Sequence, residues 1–392
     1  MKLTVTILVG CVAALLSLGL VMLYSSSMAD KGPHYLMVQL LWCGLGLGLC
    51  IAATCMDYHW WKRLAWPLLL LAVVLLVLVF VPHIGVRRNG AYRWLGYNNW
   101  SLQPSEFAKL ALIVMLAWYG ERYQRQMGTW KRGVVLPGIF IVVILGLIFR
   151  EPDRGTTILL ASVSGAMLLL AGVRWRFIVP PVLAALLGLG ISIWHDQMRT
   201  KRIFGWLYLE EHKSGVGYQA YQAMLGLGAG GITGLGLGNG RQKLGFLPEH
   251  HTDFIFSVIG EELGLVATLL VIVAFVVVVI CGIAIALKAP DTFGLLLASG
   301  LSFLIGLQAF INIGVVTSAL PNKGLSLPFI SYGGSNLLMM LTSIGILLSI
   351  ARQARPAGGV GGGEVEDEGG LLSKRRNPFK SPKIEAGIRS SK

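Results

Sequence analysis

The chain has 392 residues, 55% of them hydrophobic and only 13% charged, with a mean hydropathy of +0.69. That composition excludes a soluble enzyme, a secreted disulfide scaffold and a disordered protein together, and fits a chain that crosses a membrane many times. The formal net charge of +14, from 33 Lys and Arg against 19 Asp and Glu, points to lipid headgroups or an anionic ligand at the membrane surface rather than to nucleic acid.

Taken in chain order, the first apolar run covers Leu3 to Tyr24. Ser27-Met28-Ala29 imitates a cleavage site, but Lys2 alone makes a poor basic lead and further apolar runs follow, so the run reads as a membrane-anchored helix. Further spans are expected at 35–55, 64–82, 104–121, 134–150, 157–172, 177–194, 254–287, 294–319 and 327–351. The expected fold is therefore an all-α polytopic membrane protein of about ten spans, with a membrane domain over 1–351. Residues 195–253 form one long loop between spans seven and eight. Residues 352–392, Gly-rich, then acidic, then basic, form a disordered cytoplasmic tail suited to docking partners. The five cysteines lie in or beside apolar runs and read as small buried hydrophobes.

Charge sets the orientation only through that basic tail, which places both termini in the cytoplasm and the long loop outside. Arg87, Arg88, Arg93, Arg150, Arg154 and Lys323 then lie on the outer side, with six more basic residues between 195 and 253. A polyanion bound there would explain them.

The chemistry-bearing residues gather in that outer layer. Gly226-x-Gly228-x-x-Gly231 imitates a dinucleotide fingerprint, but no strand precedes it, and it reads as a close-packed turn running to Gly240. Asp253, in Pro248-Glu249-His250-His251-Thr252-Asp253-Phe254, stands where the polar loop meets an apolar helix. Desolvation there would raise its pKa towards that of a working base, unless it serves only as a helix cap. His250 and His251 read as a solvated pair. Glu261 and Glu262 fall two turns further on, inside the membrane, where ionisable groups are costly and usually paired. Glu106 and Lys109 face one another at i,i+3, as an internal ion pair or as the wall of a polar cavity. Arg93-Trp94, the Glu151-Pro152-Asp153-Arg154 turn, and the stretch from Lys323 to Ser331 and Ser335 are aimed at the same face. Together they supply the cations, carboxylates and aromatic that a phosphorylated, sugar-bearing lipid requires.

As a set, Gly90-Ala91-x-Arg93-Trp94-Leu95, Gln103-Pro104-Ser105-Glu106-Phe107-Ala108-Lys109-Leu110, Glu151-Pro152-Asp153-x-Gly155-Thr156-Thr157, Pro248-Glu249-x-His251-Thr252-Asp253-Phe254-Ile255-Phe256 and Pro321-x-Lys323-Gly324 on to Tyr332-Gly333-Gly334-Ser335 resemble the SEDS family (shape, elongation, division and sporulation). Gly238 to Lys243 and Ile259 to Gly264 look more like its division-type than its elongation-type members. The resemblance implies an inner-membrane peptidoglycan glycosyltransferase that polymerises lipid II outside the cell, alongside a class B penicillin-binding transpeptidase and other division proteins. It marks Asp253 as the essential aspartate and Lys323 and Trp94 as functionally important. Arg93, Lys243, Glu249, Asp153, Glu106, Lys109 and Ser331 complete the expected substrate-binding set. A divalent cation, Mg or Mn, would ride on the substrate pyrophosphate, and no organic cofactor is expected. A lipid II flippase, using Glu106, Lys109, Glu261 and Glu262 as its polar path, and a non-catalytic scaffold are the rival readings. Three positions depart from the family pattern: Gly245, Asn336, and Arg154, which stands where an apolar residue is usual.

Overall fold

The computed structural model describes residues 1–27, 32–88, 91–97 and 100–354. The tail from 355 onward, with its expected disorder, lies outside the described residues.

Among the described residues ten long helices run in chain order, with a small sheet and two further helices between them. They are α1 (Lys2–Ser27), α2 (His34–Cys55), α3 (His59–Leu78), α4 (Pro104–Arg122), α5 (Leu136–Arg150), α6 (Arg154–Leu170), α7 (Trp175–Trp194), α8 (Gln197–Leu207), α9 (Tyr218–Gly230), α10 (Ile255–Leu287), α11 (Thr292–Val316) and α12 (Gly334–Gln353). Eight are long and apolar enough to cross a bilayer, since about 20 residues at 1.5 Å per residue span its hydrocarbon core. The other two expected spans are also present. The helix α6 has 17 residues, and α4 carries Glu106, Lys109, Glu121 and Arg122 in a mostly apolar run. The chain is thus an all-α multi-pass membrane protein.

Burial orders these helices. Fifteen of the nineteen residues of α4 are buried, and α11 and α12 are enclosed along most of their length, so these three form the centre. At the other extreme, α7 buries none of its described residues and presents apolar side chains to the surroundings.

Three features depart from the expected outline. The loop between α3 and α4 folds into an antiparallel sheet, β1 (Gly85–Arg88), β2 (Ala91–Tyr97) and β3 (Trp100–Leu102), in that order. The span expected to start at 327 begins as a helix only at Gly334, because 321–333 is an ordered non-helical segment packed into the site. The glycine run expected as a turn is helical as far as Gly230, and its small residues let α9 lie against α10. A β-carbon at Gly230 would collide with the Gly260 carbonyl.

The 33-residue α10 is broken at Gly264, whose φ of 77° and ψ of −173° suit only glycine. The break frees the carbonyls of Glu261 and Glu262, which accept hydrogen bonds from Leu235 N and Gly236 N, each at 3.0 Å. Backbone groups at this depth must find protein partners, and the 231–240 loop supplies them.

Candidate active site around Asp253

Asp253 sits in the last turn before α10, partly open to solvent but ringed by protein. The 321–325 segment passes directly across it: a β-carbon at Gly324 would stand 2.9 Å from Asp253 Oδ2. A single side chain fixes this juxtaposition. Asn312 of α11, buried, donates from Nδ2 to the carbonyls of Asp253 (2.8 Å) and Leu325 (2.6 Å). One turn earlier, buried Gln308 donates from Nε2 to Ser326 O at 2.9 Å.

Burial pushes the Asp253 carboxyl up to about 7. The negative charges of Glu249 and Asp153 push the same way, while Arg93 opposes them. A carboxylate held near neutrality, with access to water on one side, suits proton abstraction from a hydroxyl. The cap reading of Asp253 is not what the geometry shows: no side-chain cap bond starts α10, whose N-cap is Phe254.

Arg93 reaches the same region from β2. Its Nε donates to Glu151 O at 3.0 Å and its Nη2 to Pro152 O at 2.7 Å, so the guanidinium rests on neutral carbonyls and keeps its charge. Trp94 follows on the opposite face of the strand, half-buried. Lys323 is half-buried and immediately precedes Gly324, which places its backbone beside the Asp253 carboxylate. Glu249, at φ 57°, accepts at its backbone and carboxylate oxygens from Thr252 Oγ1 (3.2 and 3.1 Å), holding the turn that presents Asp253.

Other residues of the expected binding set have internal engagements, and no substrate is present to test their expected roles. Lys243 is buried with its Nζ 2.7 Å from Glu262 Oε1 and 3.0 Å from Ser25 Oγ, so its charge is countered within the protein. Glu261 accepts from the backbone N–H groups of Arg241 and Gln242, and Glu262 from Gly238 N. Glu106 and Lys109 form a buried ion pair at 2.6 Å, with Lys109 Nζ also donating to Gln308 Oε1 at 2.8 Å. This settles their two readings in favour of the ion pair, which braces the helix face bearing Gln308 and Asn312. Asp153 caps α6, accepting from Thr156 N (3.1 Å) and Thr156 Oγ1 (2.9 Å), and reaches Asp253 only through its field. Ser331 accepts from Leu327 N at 2.7 Å and pins the 327–331 turn. His250, expected in water, is buried, with its ring nitrogens 3.0 Å from Leu247 O and 3.2 Å from Ser26 O.

Sequence reasoning missed Asn312, Gln308 and Gln39, whose Nε2 donates to Ser331 O at 3.3 Å. The signal was present: each is an uncharged amide in an apolar span, and Gln308 and Asn312 share a helix face at i,i+4. Glu151, expected at the outer face as part of its turn, has both carboxylate oxygens buried without a hydrogen-bond partner; burial and Asp153 push it up to about 8 against the pull of Arg93.

The chain as a whole is similar to known proteins. The family of cell cycle proteins that groups FtsW, RodA and SpoVE matches residues 5–356. A probable peptidoglycan glycosyltransferase FtsW of Trichlorobacter lovleyi is 42% identical over 351 residues, covering 88% of this chain and 92% of its own. Stage V sporulation protein E of Bacillus subtilis is 39% identical over 348 residues, covering 87% and 95%. Among solved structures, a chain of a peptidoglycan synthase complex that coordinates polymerization and crosslinking superposes with a TM-score of 0.76 at 29% identity, covering 88% of this chain and 96% of that one. The rod shape determining protein RodA of Thermus thermophilus gives 0.67 at 28% identity, covering 89% and 97%. The chain therefore belongs to the FtsW/RodA/SpoVE family, the SEDS family its motifs resemble, on the division-type, FtsW-like side.

Proposed function

We propose that this protein is a division-type peptidoglycan glycosyltransferase that polymerises lipid II into β-1,4 glycan strands. The observation that carries the mechanism is Asp253, a carboxylate raised to about 7 and clamped beside the Lys323-Gly324 segment. Elongation requires an acceptor sugar hydroxyl to displace a lipid pyrophosphate from the donor's anomeric carbon. Turning an α-linked donor into a β-linked product inverts that carbon, so one base and one stabiliser of the leaving group suffice. Asp253 takes the hydroxyl proton as the new C–O bond forms. Arg93, whose charge no carboxylate neutralises at hydrogen-bond range, and Lys323 offset the charge of the departing pyrophosphate.

Among the described residues no group of three or more His, Cys, Asp or Glu could hold an ion. A Mg or Mn ion would be carried by the pyrophosphate itself.

The transport reading has less support, because Glu106, Lys109, Glu261 and Glu262 are all engaged in ion pairs or hydrogen bonds within the protein. The proposed setting is the inner membrane, termini in the cytoplasm and Asp253 outside. The proposed partner is a class B penicillin-binding transpeptidase, in keeping with the polymerization and crosslinking of the similar synthase complex. Incubating purified full-length protein with lipid II tests the reading: glycan polymer is expected, and its absence with the transpeptidase partner also present would overturn it.

A further inference from the structure

Arg154 is a buried cation without an anion. It is the first residue of α6 and is only 9% exposed. Its guanidinium stacks on Phe149 of α5, 4.7 Å from the ring centre, and Nη2 donates to Ser192 Oγ of α7 at 2.7 Å. Nε and Nη1 are buried with no hydrogen-bond partner. The nearby acids do not answer it. Asp153 is spent on Thr156, and the carboxylate of Glu151 is itself unpartnered, so the two opposite charges of this turn do not meet. The stacking on Phe149 and the single bond to Ser192 offset only part of the desolvation of such a guanidinium, whose other two nitrogens have no partner.

The surroundings indicate what would satisfy it. Arg154 lies where α5 ends at Arg150 and α7 ends at Trp194, which is 84% exposed two residues beyond Ser192, as expected of an aromatic at the bilayer interface. The wall over the guanidinium is α7, which buries none of its described residues and can move aside at little cost in packing. A guanidinium with a neighbouring hydroxyl, beside a positive helix N-terminus and at headgroup level, matches a phosphate oxyanion.

We propose that Arg154 and Ser192 form a binding site for the phosphate of a lipid headgroup, entered from the bilayer between α6 and α7. Two sources share that chemistry: an anionic phospholipid, or the pyrophosphate of the polyprenyl substrate. The phospholipid source is independent of the polymerase reading, and only the second rests on it.

The test uses the full-length protein in detergent, with phosphatidylglycerol counted by native mass spectrometry against phosphatidylcholine, and lipid II turnover measured in parallel. In Arg154→Leu the guanidinium is gone, and the affinity for one of the two ligands should fall roughly tenfold. Weaker phosphatidylglycerol binding with an unchanged KM for lipid II identifies a phospholipid site. A raised KM at unchanged kcat, with phosphatidylglycerol retained, identifies a substrate site. Should Arg154→Leu fail to fold, Arg154→Lys and Ser192→Ala read the same two affinities, each expected to weaken severalfold. Parental binding of both ligands in the folded variants would overturn the proposal. No polymer from the parent or from any variant, with phosphatidylglycerol binding still dependent on Arg154, would instead count against the polymerase reading alone.

Discussion

Gly324 lies against the carboxylate of Asp253, with room for a hydrogen and not for a methyl: a β-carbon there would stand 2.9 Å from Oδ2. Gly324→Ala should therefore push the carboxylate off its position without disturbing the helices. Because a displacement of about 1 Å in a reacting group can cost on the order of 100-fold in rate, kcat for lipid II polymerisation should fall by 10- to 100-fold. Thermal stability in detergent should change little. Parental kcat in the folded variant would show that the carboxylate is not the reacting group.

Asp253→Asn should abolish polymerisation at every pH, since the amide keeps the shape but takes no proton. In the parent, activity should rise with pH through about 7, as the carboxyl ionises. Stability should run the other way. The folded pKa is raised above the usual 3.8, so between about 4 and 7 the folded chain holds a proton that the unfolded chain has lost, and stability falls as pH rises across that window. Asp253→Asn removes this penalty: its Tm should exceed the parent's at pH 8 and match it near pH 4. An equal Tm at both values would mean that Asp253 is not desolvated.

Lys243 and Glu262 are both buried, and each is the other's counter-charge at 2.7 Å. Removing one leaves an uncompensated charge, at a cost of about 3–5 kcal/mol. Lys243→Met should lower thermal stability sharply, and Lys243→Met with Glu262→Gln should recover much of it. The folded double variant should keep the parental KM for lipid II. A raised KM at restored stability would return Lys243 to the substrate site.

The spans were legible because long apolar runs have one stable form in lipid, and the ends of α2 and α5 match the hydropathy edges to within about a turn. Asp253 was legible because a carboxylate at a loop-to-helix border stands out in an apolar chain. The roles of Lys243, Asp153 and Ser331 were not, because local sequence cannot tell a charge aimed at a ligand from one consumed inside. Lys243 finds Glu262 nineteen residues away and Ser25 on a different helix. The clamp at Asn312 was hidden for the same reason, since it acts across 59 residues on a backbone carbonyl. The sheet at 85–102 went unread because Arg93 and Trp94 had been weighed as ligands rather than as alternating strand residues.

Orientation is the remaining consequence that can be measured directly. Among the described residues seven long helices precede the 195–253 segment and three follow it, so the proposed topology has the start of α1 and the end of α12 opposite that loop. Basic residues favour the tail on the cytoplasmic side. With the five native cysteines replaced, a cysteine at the exposed Ser214 should react in intact cells with a thiol reagent that cannot cross the membrane. One at Ser381 should react only after the membrane is opened. The opposite pattern would put Asp253 in the cytoplasm, where a base acting on exported lipid II would have no substrate, and the proposed reaction could not take place at this site.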